Sequence, residues 1–305
     1  MKLKRAMAAL AAFGLCAAPV DAAVPILWQI PAAENQLTTE AGRWFISGDG
    51  AVYEGSGDGN GFERRALPAR RLDGTLQRCY FLGMAERHGR LYTICTDAAL
   101  NPFAIKRLFS LDLSDPAAEL REIYRPSGLA LPNGLAVDAA GDLVLADSGA
   151  ALLPGRLVKL RLDSHGQVTE QLTLHQFPLC KPNGVRIDGE RLYVSLNPLS
   201  YVGVSQLKRY HFDGEALRDG VTIYDSWGFI DDFALTRDGV AVAEFLGGKV
   251  SHVREDGTLL KQAWFDQPTS VSALAGGVFP GGGIRVTERG HGRVVVEAEF
   301  GAWPR

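Results

Sequence analysis

Asn133 and Asn183 carry the first chemical signal in this 305-residue chain. Each sits in a Pro-Asn-Gly triplet, Pro132-Asn133-Gly134 and Pro182-Asn183-Gly184. An apolar strand, a polar turn and a second apolar strand follow each triplet, the second strands falling at residues 143–146 and 192–195. Self-similarity at a period of about 50 residues marks an array of equivalent units. In a circular array, equivalent positions converge on the axis, so the two amides would share a centre. Sliding the same template along the chain puts Glu34, Gly83, Asn133, Asn183, Asp231 and Ser270 at the heads of six units. Four of these heads, Glu34, Asn133, Asn183 and Asp231, offer two carboxylates and two amide carbonyls. Hard oxygen donors select a hard divalent cation, calcium first, with zinc, magnesium or manganese as alternatives. A lone Pro-Asn-Gly is ordinarily a turn, and the metal expectation rests on four polar heads in register. The competing reading is that they cap inner strands and bind channel water.

The elements that must position these heads are strands. The apolar runs are short, rich in Val, Ile, Leu, Tyr and Phe, and broken by turn pairs such as Asp73-Gly74, Asp213-Gly214, Asp238-Gly239 and Asp256-Gly257. No helical periodicity is sustained beyond the N-terminal segment. Three spacings from head to turn agree, Glu34 to Gly42, Asn133 to Gly141 and Asp231 to Gly239 each being eight residues, while Asn183 to Gly189 is two shorter. Four strands fit each unit, as in a propeller blade. The sixth unit is one strand short, while Ile26-Leu27-Trp28-Gln29-Ile30 precedes the first. The expectation is an all-β fold, a six-bladed β-propeller over residues 23–305. An N-terminal strand would complete its last blade and remove the open edges.

Residues 1–22 read as a signal peptide. Lys2, Lys4 and Arg5 form a basic start, residues 6–20 carry no charge, and Val20-Asp21-Ala22 fits a small-residue cleavage site. The apolar stretch is short for a membrane span, which takes about 20 residues. The expected location is periplasmic or secreted, with no membrane partner once the signal is removed. Removing that segment takes three cations and one anion, moving the formal charge from −3 to −5. No basic block remains, so nucleic acid is not an expected partner. Cys79 and Cys95 flank a predicted hairpin turning at residues 87–89, nearly opposite each other. A disulfide there and two buried thiols are both consistent with export.

The heads and their separations resemble the family of senescence marker protein (regucalcin) and gluconolactonase, six-bladed metal-dependent propellers, over essentially the whole mature chain. The resemblance implies Glu34, Asn133, Asn183 and Asp231 as ligands of one divalent cation. Thr269-Ser270-Val271, Gly276-Gly277 and Ile284-Arg285-Val286-Thr287 are similar to that family's final blade. Three departures stand out. The first head reads Ala33-Glu34-Asn35-Gln36 where the family usually has Glu-Gly-Pro. The fifth reads Ile230-Asp231-Asp232 rather than Pro-Asp-Gly, which leaves Asp232 as a rival to Asp231. Leu131 stands where sugar-lactone members carry an arginine. The implied activity is metal-dependent hydrolysis of a small-molecule lactone or related ester. Water would be the nucleophile and Asp231 the catalytic general base. Trp227-Gly228-Phe229 leads into Asp231, so Trp227 and Phe229 are expected to wall the substrate site, with Asp232 touching substrate. The rival readings are a non-catalytic periplasmic binding propeller and a strictosidine-synthase-like propeller enzyme without the metal tetrad.

Overall fold

The computed structural model describes residues 26–57, 62–150, 153–200, 203–273 and 283–297. The expected signal segment 1–22 and the Gly276-Gly277 pair lie outside these residues. Among the described residues there are 25 strands in six sheets and no helix, so none is long and apolar enough to cross a membrane. Strand β1 (Ile26–Gln29) comes first. Blade one is β2 (Gln36–Thr38), β3 (Trp44–Ser47), β4 (Val52–Gly57) and β5 (Phe62–Leu67). Blade two starts with a short outer strand, β6 (Ala69–Arg70), followed by β7 (Tyr80–Arg87), β8 (Arg90–Thr96), β9 (Lys106–Asp112) and β10 (Leu120–Tyr124). Blade three is β11 (Pro132–Val137), β12 (Leu143–Asp147), β13 (Gly155–Leu162) and β14 (Val168–Phe177). Blade four is β15 (Cys180–Asp188), β16 (Arg191–Pro198), β17 (Ser205–Phe212) and β18 (Leu217–Ser226). Blade five is β19 (Ile230–Thr236), β20 (Gly239–Glu244), β21 (Lys249–Val253) and β22 (Leu259–Trp264). Blade six holds β23 (Pro268–Ala273), β24 (Ile284–Glu288) and β25 (Arg293–Glu297).

Strand β1 pairs antiparallel with β25, so the sixth sheet runs β1-β25-β24-β23 and the ring closes as expected. One feature was not foreseen: β6 adds a fifth strand to blade two, parallel to β10.

The core is a set of six seams between neighbouring blades. Phe45 and Val52 of blade one pack on Phe81 and Phe109 of blade two. Leu82 and Tyr92 meet Leu135 and Leu145, and the pattern continues around the circle to Ile30, Trp44, Ile46 and Val294. Each second strand is sandwiched between blades, and β20 is buried at all six positions. Outer strand β22 alternates between exposed and half-buried residues instead. A fully buried Leu or Phe contributes about 1.5–3 kcal/mol, so the seams hold the ring.

Cys79 and Cys95 are joined by a disulfide, with Cα atoms 5.9 Å apart. Cys180 is a free, half-buried thiol.

Candidate metal centre and active site

The heads do not lie in turns. Asn133, Asn183 and Asp231 fall inside the innermost strands β11, β15 and β19, each at a break in the antiparallel ladder. Register shifts lie between Pro132 and Leu135, between Pro182 and Val185, and between Ile230 and Asp232. A bulge re-aims a side chain, and these bulges turn the heads inward. The glycine after each asparagine serves packing between blades. A Cβ on Gly134 would stand 2.5 Å from the Asn183 carbonyl oxygen, and one on Gly184 would stand 2.9 Å from Asp232 Oδ1. Gly83 has the same relation to Asn133, at 2.2 Å. Inner strands can therefore approach closely only where these positions are glycine.

Glu34, Asn133, Asn183 and Asp231 come together at the floor of a cavity of about 410 Å³. Asn183 Nδ2 donates to Asp231 Oδ1 at 2.6 Å, and Arg289 Nη1 donates to Glu34 Oε2 at 3.2 Å. Burial is the main force on both acids. It pushes Glu34 up to about 7; Arg289 opposes the rise, Asp232 adds to it, and a hydrogen bond from Asn133 opposes it further. Asp231 is raised well above the usual carboxylate range, first by burial, then by Glu34 and Asp232, with Arg289 and Asn183 offsetting part. Two buried carboxylates therefore share one nearby guanidinium. Asn183 Oδ1 is buried and accepts no hydrogen bond among the described residues. An orphaned carbonyl beside two under-compensated carboxylates is a donor set that a divalent cation would satisfy. Among the described residues no three of His, Cys, Asp and Glu are grouped to hold a metal; this set takes half its donors from amides.

Asp232 does not reach the cavity. Its Oδ2 accepts hydrogen bonds from Arg186 Nη2 at 2.7 Å, Asn35 Nδ2 at 2.8 Å and Ser270 Oγ at 2.7 Å. The bulge at the head of β19 sends Asp231 and its neighbour in different directions, and Asp232 becomes a tie between blades. Trp227 is also not brought in: it is 80% exposed and does not line the cavity. Phe229 does line it, stacked edge to face on Phe245 at 6.4 Å.

Among the lining residues that were not anticipated, Arg289 and Tyr80 bear on the chemistry. Arg289 sits one residue past β24, and its guanidinium lies 5.4 Å from the Tyr80 ring centre. The Tyr80 hydroxyl is buried with no hydrogen-bond partner among the described residues. Burial, reinforced by Glu34, keeps it protonated. Arg289 had a readable signal. Thr96, Ser148, Phe245 and Arg289 all lie at or just past the end of a second strand, and all line the cavity.

No protein-family profile and no curated protein sequence matches this chain. Solved structures do. A gluconolactonase from Xanthomonas campestris aligns with a TM-score of 0.61 at 18% identity, covering 89% of this chain and 87% of that one. A second structure, described as a candidate gluconolactonase, gives 0.61 at 16% identity over 93% and 96% of the two chains. A PQQ-bound aldose sugar dehydrogenase from Streptomyces coelicolor gives 0.57 at 12% identity over 90% and 97%. The architecture of this chain is thus that of gluconolactonase-like six-bladed propellers. Because the same fold also carries a dehydrogenase, function has to be argued from the site.

Proposed function

We propose that this protein hydrolyses a lactone or related ester, with a divalent cation, calcium first, held by Glu34, Asn133, Asn183 and Asp231. The observation that carries this reading is the orphaned Asn183 carbonyl facing the same cavity as two buried, under-compensated carboxylates. A cation bound there supplies Lewis-acid polarisation of the substrate carbonyl. Asp231 takes the proton from the attacking water as its oxygen bonds to the acyl carbon. It returns that proton to the leaving alkoxide as the C–O bond breaks, giving a hydroxy acid or an acid and alcohol. The Asn183 amide fixes the orientation of Asp231. Tyr80 has a free hydroxyl proton to donate to a substrate oxygen. The apolar wall excludes bulk water, which strengthens each of these contacts.

The test is a lactone panel with and without chelator, read beside calorimetric calcium binding. Asp231→Ala should abolish both binding and turnover. Asp231→Asn should retain some cation yet lose about 100-fold or more in kcat, because an amide cannot accept the proton. An Asp231→Ala protein that binds calcium and hydrolyses lactones like wild type overturns the reading. Lactone binding without turnover in the calcium-loaded wild type would make this a binding propeller.

A further inference from the structure

The walls of the cavity differ in kind from its floor. The titratable groups and amides, Glu34, Asn133, Asn183 and Asp231, come from or beside the buried innermost strands, whereas Leu82, Leu100, Leu131, Phe229, Phe245 and Leu246 make up the apolar part of the lining. Of the three hydroxyls that line the cavity only that of Tyr80 is unpaired among the described residues; Thr96 Oγ1 donates to the Ala98 carbonyl at 3.1 Å and Ser148 Oγ to the Pro182 carbonyl at 2.7 Å.

Leu100 is the most telling of the apolar residues. It is 77% exposed yet lines the cavity, and its φ is +58°, a left-handed conformation that favours Gly or Asn. The loop that presents it, between β8 and β9, is held from beneath by Lys106. That ammonium is buried and donates to the carbonyls of Asn101, Pro102 and Ala104 at 2.9, 3.0 and 2.8 Å. A buried cation and an unfavourable backbone together hold out an apolar side chain that water alone would not reward.

The molecule's two faces repeat the contrast. Connections from second to third strands, and from one blade to the next, open on the cavity face. There Phe103, Leu153, Leu199, Trp227 and Leu246 are exposed. Connections on the opposite face carry turns such as those at Asp163, Asp188, Asp213 and Asp256. Among the described residues none of these connections exposes a large hydrophobic side chain.

From these features we infer that the ligand of this site carries a hydrocarbon substituent. The acyl or lactone head meets the polar floor, and an alkyl or acyl chain runs along Leu100 and Leu246 to the apolar rim. Leu100 is the specificity-determining residue. Beyond the Tyr80 hydroxyl and the Arg289 guanidinium, a polyhydroxylated lactone would leave the hydroxyls that face the leucine and phenylalanine side chains unpaired, which disfavours it. The inference rests on the hydrolase reading for the head group, but not for the chain.

Two measurements on the calcium-loaded protein keep the two apart. In the first, the uncharged fluorophore N-phenyl-1-naphthylamine is titrated in and then displaced. γ-Decalactone should displace it and D-glucono-δ-lactone should not. Leu100→Asn, which suits the left-handed backbone, should weaken probe binding by roughly tenfold. In the second, kcat/KM is measured for γ-butyrolactone, γ-caprolactone and γ-decalactone. It should rise along the series, and Leu100→Asn should cut the decalactone-to-butyrolactone ratio by roughly tenfold. Displacement without turnover of any lactone upholds the hydrocarbon site and ends the hydrolase reading. Faster turnover of gluconolactone than decalactone, no saturable probe binding, or binding and selectivity unchanged in Leu100→Asn overturns the inference.

Discussion

Asp231 and Asp232 show how much one backbone irregularity decides. Asp231 faces the cavity under-compensated, whereas Asp232 is held through Oδ2 by Arg186, Asn35 and Ser270, its buried Oδ1 having no hydrogen-bond partner among the described residues. Replacing Asp232 with Ala leaves the half-buried Arg186 guanidinium without its carboxylate and the two other donors unpaired. We predict a loss of about 2–3 kcal/mol of stability, read by urea denaturation, with calcium affinity kept within a few-fold. Unchanged stability together with lost calcium binding would show that Asp232, not Asp231, is the ligand. A second residue-scale prediction concerns His252, which is buried beside Thr236 Oγ1, with Nε2 at 3.0 Å. Burial lowers its pKa, so the unfolded chain binds the proton more readily than the folded one. Its contribution to stability is complete above the unfolded value of about 6.5 and is lost as pH falls below it. His252→Gln keeps a hydrogen-bonding group without the titration. It should show a smaller stability loss than wild type between pH 7.5 and pH 5.5, on the order of the shift's linkage. Parallel losses in the two proteins would rule the effect out.

Elements were more legible than the side chains they aim. The 50-residue period, the turn pairs and the missing sixth-blade strand all follow from local sequence, because turn chemistry and strand patterning are local properties. The heads were legible for the same reason, since register repeats. Three things were not. The bulges that turn Asn133, Asn183 and Asp231 inward depend on a neighbouring strand. The place of Arg289 past a second strand was readable, but its pairing with Glu34 across a sequence separation of 255 residues was not. Trp227 sat beside the right residue, but which way a loop side chain faces depends on the whole blade. The Asn-Gly pairs were readable as positions but not as a reason: they are strand residues that permit inter-blade contact. Gly134→Ala therefore tests the element. Its Cβ would press on the backbone of Asn183, Gly184 and Val185, which cannot swing aside as a side chain could, so we predict a loss of about 1–3 kcal/mol. Weaker calcium binding should accompany it, because blade four must retreat with its asparagine. The disulfide is the other element-scale device. It closes β7 onto β8 just before the loop that holds Leu100, and a loop of this size is worth about 3 kcal/mol. Cys95→Ser should lower stability by about that amount.

At the scale of the whole molecule, the sixth blade is the one built from two distant parts of the sequence. Strand β1 lies beside β25, and the next residue, Ile30, is fully buried against Ala33, Trp44, Ile46 and Val294. Its amide donates to the Gly292 carbonyl at 2.7 Å. Four residues further on stands Glu34, at the floor of the cavity. The clasp that closes the ring and the acid that would hold the cation are therefore one short segment, while Asn133, Asn183 and Asp231 come from blades three, four and five. A cation bound to all four would tie the N-terminal clasp to the far side of the ring. Ile30→Ala removes three buried carbons from this seam and should cost about 2–4 kcal/mol. It should also loosen Glu34 and weaken calcium binding. Saturating calcium should then restore part of the lost stability, by about 2.7 kcal/mol at 100 times the dissociation constant. Thermal unfolding of wild type and Ile30→Ala across a calcium series reads both effects. If calcium leaves the melting temperature of both proteins unmoved, no cation joins the clasp to the ring. If calcium stabilises wild type while its affinity for Ile30→Ala is unchanged, the cation site stands and its coupling to closure fails.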